Sequence, residues 1–133
     1  MRLIGFYQEM DTKYDPAWGG PVPAPDSGTG KYPVTELLGY LTSGYPILDV
    51  TELTSDVING AFRVPGGSSV LTDGEFVWRV DLAKYVEHYR IDLPQEFLTA
   101  VQRRGFRIPP ADYDTRLPLS LEVSGLLGFR PAP

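Results

Sequence analysis

The sequence predicts an α+β domain, an antiparallel sheet built from hairpins with about three helices packed on it. Helix-period apolar stripes with their own start and stop residues occur three times. Short β-rich runs flank Asn-Gly and Asp-Gly pairs, and strands and helices do not alternate as a βαβ series would. At 133 residues, 42% hydrophobic and 22% charged, the chain suits a single domain over 1–133. Such a domain buries about two thirds of its unfolded surface.

In chain order, Arg2 to Gln8 reads as a short strand, because Leu3, Ile4, Phe6 and Tyr7 are β-compatible and apolar. Residues 11–32 are dense in Pro and Gly, which break both periodicities, and predict a long loop. "YPVTELLGYLTSG" predicts a helix over 33–42, with Pro33 and Glu36 in its first turn. Val34, Leu37, Leu38 and Leu41 form its apolar stripe, and Gly44 is a left-handed stop. "YPILDVTEL" predicts a strand, and Asn59-Gly60 in "DVINGAFRV" predicts a two-residue type I′ hairpin.

Val70 and Leu71 lead to Asp73-Gly74 and then to Phe76, Val77 and Trp78, a second hairpin. Asp81 is placed to cap a helix bearing Leu82, Tyr85, Val86 and Tyr89 on one stripe. A third helix starts at Pro94 with Glu96 in its first turn, buries Phe97, Leu98 and Val101, and ends at Arg103, Arg104 and Gly105. In the Pro-rich tail, "LPLSLEV" over 117–123 alternates as a half-buried strand.

Composition narrows the chemistry. Without cysteine, disulfides, thiolate metal sites and a cysteine nucleophile are excluded. No segment approaches a membrane span, so a cytoplasmic location and no membrane partner are expected. The net charge of −5 is uneven: residues 1–78 hold four basic against ten acidic groups, while 79–107 hold six against four. An acidic first half repels phosphate backbones and favours a basic protein surface.

Catalytic patterns are sparse. "PDSGTGKY" fails as a phosphate-binding loop because Pro25 and Tyr32 stand where Gly and Ser or Thr are needed. His88 is the sole histidine and falls about 60° outside the apolar stripe of its helix. One imidazole without thiolates would leave zinc to three carboxylates, so no metal or other cofactor is expected. The helix pair 82–89 and 94–104 is locally basic and admits a helix-turn-helix reading, which the overall acidity opposes.

Over residues 66–98, "GGSSVLTDGEFVWRVDLAKYVEHYRIDLPQEFL" resembles a segment of small bacterial proteins in which "DG-x-x-VW" leads into "DLAxYVExY" and "LPxEF". Similar short acidic proteins occur among the immunity proteins of polymorphic toxin systems. The resemblance implies a binding protein whose residues 68–106 are scaffold.

The functional expectation is therefore a non-enzymatic module, an immunity protein or inhibitor occluding a protein partner with a basic surface. The partner-binding candidates are Asp11, Tyr14, Asp15 and Trp18 in the long loop and Asp49, Glu52 and Asp56 around the middle strands. Two alternatives stand beside it: a small hydrolase using carboxylates and His88, and a DNA-binding regulator using the helix pair.

Overall fold

Strand-forming residues at the start of the chain are cut short by a glycine. In the computed structural model, which describes residues 2–10 and 19–110, β1 covers Arg2–Ile4. Gly5 then turns the backbone to a φ of 75°. A side chain there would also press on Leu82, whose methyl lies 2.9 Å from a Cβ position. The strand predicted to Gln8 therefore ends at Ile4, and a 3-10 turn follows over Gln8–Met10.

α1 spans Val34–Thr42 and buries Leu37, Tyr40 and Leu41, with Pro33 as the extended residue before it. Its end differs from expectation. Ser43 closes it with a negative φ, and Gly44 is not left-handed. Gly44 is instead needed for space: a Cβ there would sit 2.8 Å from the Trp78 ring and 2.9 Å from Leu71 Cβ.

β2 (Tyr45–Leu48), β3 (Leu53–Ser55), β4 (Arg63–Pro65), β5 (Val70–Thr72) and β6 (Phe76–Arg79) follow. The main sheet has the order β1-β6-β5-β2. The Asp73-Gly74 hairpin is present, with β5 antiparallel to β6 and Leu71 opposite Trp78. β2 is antiparallel to β5. β1 pairs in parallel with β6, Leu3 beside Val77, so the sheet is mixed rather than purely a set of hairpins.

β3 and β4 form a separate two-stranded sheet. Their connection runs from Asp56 to Phe62 and only Gly60 takes a positive φ, so the predicted two-residue type I′ turn is absent. Asp56 explains the longer loop. Its carboxylate accepts the N–H groups of Ile58 (2.8 Å) and Ala61 (2.9 Å), a local turn that competes with the tight hairpin.

α2 (Leu82–Tyr89) and α3 (Gln95–Arg103) complete the described fold. Asp81 stands at the start of α2 but makes no capping bond with its side chain. Its carboxylate accepts instead from Arg79 Nε (3.1 Å) and Nη2 (2.9 Å) and from the Thr54 hydroxyl (3.0 Å). The buried guanidinium beside it takes the carboxylate, and the Lys84 N–H bonds the Asp81 carbonyl instead (3.0 Å).

The three helices share one core with one face of the sheet. Phe97 packs edge-on to Phe76 (5.1 Å between centroids) and to Trp78 (5.9 Å), with Tyr40 at 6.1 Å. Trp78, fully buried, donates its Nε1–H to the Leu41 carbonyl at 2.9 Å. Val70 and Val77 lie on the opposite face, buried with Phe6 and Ile47. The alternating segment 117–123 and the remainder of the Pro-rich tail lie outside the described residues.

Residues 22–32, expected as a solvated loop, lie against the α2–α3 connection. Asp26 N–H bonds Tyr89 O (2.6 Å) and Gly28 N–H bonds Arg90 O (2.7 Å). A Cβ at Gly28 would stand 2.3 Å from the Ile91 carbonyl oxygen, so glycine is required by close approach. The Tyr32 hydroxyl donates to the same carbonyl at 2.8 Å.

Candidate protein-interaction surface

The segment from β2 to β3 carries the partner-binding candidates Asp49 and Glu52. Asp49 and Glu52 are exposed, and between and beyond them Thr51, Leu53 and Ser55 are exposed as well. Leu53 is the one large apolar side chain strongly exposed among the described residues, at 53%. The β3–β4 register explains it: Thr54 faces inward to Asp81, so its neighbours Leu53 and Ser55 face out.

This strip is braced from below. Ser69 Oγ accepts the Val50 N–H (2.9 Å), lies 2.9 Å from the Val50 carbonyl and 3.5 Å from Asp49 Oδ1. The Ser68 hydroxyl donates to Glu52 Oε1 at 2.7 Å, and the Gly66 N–H to the Glu52 carbonyl at 2.9 Å. Both carboxylates are thus held at the surface with lone pairs to spare. Pro46 in edge strand β2 has no N–H to offer, and the register shifts between Pro46 and Leu48. Such an edge resists strand addition and leaves recognition to side chains.

Asp56 differs from the other two. It is only 5% exposed and, besides the two backbone N–H groups, accepts from the Tyr89 hydroxyl. Burial pushes its pKa up, but the hydrogen bonds from Tyr89, Ala61 and Ile58 outweigh that and hold it below the ordinary carboxylate value. Asp56 shapes the loop beside the strip. Asp11, Tyr14, Asp15 and Trp18 lie outside the described residues. The aromatics Tyr32, Tyr40 and Trp78 are buried in the core.

The residues of the two alternatives are placed as follows. His88 is exposed on α2, its ring edge-on to Tyr89 (4.6 Å) and to Phe62 (5.7 Å). No group of three His, Asp or Glu side chains converges as for a metal among the described residues. On α3, Arg104 is engaged by Asp73 (2.8 Å) and Glu75 (2.6 Å), and Arg2 by Glu96 (2.9 Å). Arg79 is buried against Asp81. Carboxylates therefore face much of the basic charge that a phosphate backbone would need.

Leu53 was not among the residues singled out from sequence. The available signal was the inward Thr54, which inverts the usual alternation, but it is legible only once Asp81 is seen beneath it. No helix of the described residues is long and apolar enough to cross a membrane. No protein-family model, no curated protein and no solved structure matches the chain.

Proposed function

We propose that this chain is a non-enzymatic binding module of the immunity or inhibitor type, which occludes a basic surface of a partner protein through residues 49–55. The observation that carries the reading is Leu53, an exposed apolar side chain next to Glu52, whose carboxylate is held by the Ser68 hydroxyl, with Asp49 exposed on the same segment. An exposed apolar anchor beside acidic side chains suits a surface in which a few residues supply most of the binding energy and the charges set the encounter rate. Asp11, Tyr14, Asp15 and Trp18 remain partner-binding candidates on their chemistry in this proposal, with the cytoplasm as its location.

The test is retention of a partner from lysate of the native host on the immobilised chain, followed by kinetics with the purified partner. The parent is expected to retain a basic protein that a Leu53→Asp variant releases, with the dissociation rate raised by about 2 kcal/mol equivalent. Identical retention by parent and variant would reject the strip as the working surface.

A further inference from the structure

The start of α3 borders a cleft of about 500 Å³ between the 23–31 loop and the helix, lined by Tyr7, Pro23, Lys31, Asp92, Leu93 and Pro94 among others. Its donors are in excess. α3 has Pro94 where a capping residue would stand and no side-chain cap, so the N–H groups of Gln95 and Glu96 have no acceptor among the described residues.

Tyr7 adds an independent observation. It is only 9% exposed, yet its hydroxyl has no hydrogen-bond partner among the described residues. Native proteins pair buried hydroxyls, so an unpaired one lining a cleft marks a place where an acceptor is missing. Burial, with Tyr32 and Asp92 nearby, pushes its pKa up and keeps it a proton donor at neutral pH.

Each acceptor named in the cleft already carries at least one bond. Asp92 Oδ1 takes the Leu93 N–H (2.9 Å) and Oδ2 takes Lys31 Nζ (2.9 Å). Ser27 Oγ donates to the Ala24 carbonyl (2.6 Å) and accepts the Asp92 N–H (2.9 Å). Lys31 and Asp92 cancel formally, so the pull on an anion comes from the positive end of α3 and the unspent protons of Lys31, Tyr7 and Gln95. Pro23, Leu93 and Pro94 make the adjoining wall apolar.

We infer that this cleft is a second binding site, for a carboxylate carried on a small apolar body. The carboxylate lies at the α3 start against Tyr7 and Lys31, and the apolar body lies on the proline and leucine wall. The site is separate from the acidic strip and stands or falls without it.

The experiment is a titration of the ¹⁵N-labelled full chain with butyrate and with N-acetyl-leucine, each against its own uncharged amide. Saturable movement of the Gln95 amide by an acid is expected, with the matching amide at least about tenfold weaker. Saturation by butyrate assigns a free small acid, and saturation by N-acetyl-leucine alone assigns a peptide carboxyl terminus. Tyr7→Phe should weaken the acid by about fivefold without lowering the melting temperature, since the hydroxyl has no partner to lose. Lys31→Gln, at a half-exposed position, should weaken it independently. No saturation by either acid, equal binding of the amides, or unchanged affinity in both variants would overturn the assignment.

Discussion

At Asp56 a single carboxylate organises a loop and ties it to α2 through Tyr89. Because its folded pKa is depressed, the stability it contributes is complete above the unfolded value of about 3.9 and is lost as pH falls through the lower folded value. Asp56→Asn should therefore destabilise the protein at neutral pH and flatten the acid limb of a stability-versus-pH curve. An unchanged acid limb in urea melts between pH 2 and 6 would contradict this. Gly44 offers a second test at the same scale. If crowding by Trp78 and Leu71 is the reason for glycine, Ala and Asn should both cost about 1–3 kcal/mol. A left-handed requirement would instead favour Asn over Ala, and thermal melts of the two variants separate the explanations.

Among the elements, α3 and the β3–β4 hairpin are attached by different physics. α3 is held by apolar contact, with Phe97 fully buried against Phe76, Trp78 and Tyr40. Phe97→Ala should cost about 3–5 kcal/mol, and an unchanged melt would mean that this helix face is misassigned. The hairpin is held by a mixture: Phe62 packs edge-on to Tyr85 (5.1 Å), Thr54 bonds Asp81, and the Val57 N–H bonds the Tyr85 hydroxyl at 2.9 Å. Asp81→Ala alone leaves the Arg79 guanidinium buried without this carboxylate and should cost about 3–5 kcal/mol. The double variant Arg79→Met, Asp81→Leu should recover part of that loss, because it removes the buried guanidinium together with its carboxylate. Equal losses in single and double variants would show that the pair's hydrogen bonds, rather than its desolvation, dominate.

Across the whole molecule, charge is segregated and the residues offered for recognition lie on the acidic side. The first 78 positions hold ten of the seventeen acidic residues but only four of the twelve basic ones, while Arg79 and Arg104 of the second half are paired with carboxylates. Reversing Asp49 and Glu52 to Lys should slow association with a basic partner and reduce its dependence on salt, measured as association rates at two ionic strengths. His88→Ala should leave that affinity intact and change stability by about 1 kcal/mol or less, since the side chain is exposed beside Phe62 and Tyr89. Loss of biological activity in a stably folded His88→Ala variant would favour the hydrolase reading over the binding module.

By itself the sequence determined the α+β class, the three helices and the Asp73-Gly74 hairpin, because their signals are short-range. Apolar residues three and four apart select a helix face, and Gly74 with a φ of 101° closes β5 onto β6 within a few positions. Tertiary structure alone decided the rest. The parallel pairing of β1 with β6 joins residues more than seventy positions apart, and no local pattern encodes its direction. Asp81 fits a capping position from its neighbours, yet its carboxylate goes to Arg79 and Thr54, because a buried guanidinium packed beside it is a stronger partner than a backbone N–H. The exposure of Leu53, the burial of Asp56 and the presence of Tyr7 in the cleft beside α3 have the same origin. Each depends on which distant segment lies alongside, and that is set by summed burial over the whole core rather than by any residue's near neighbours in sequence.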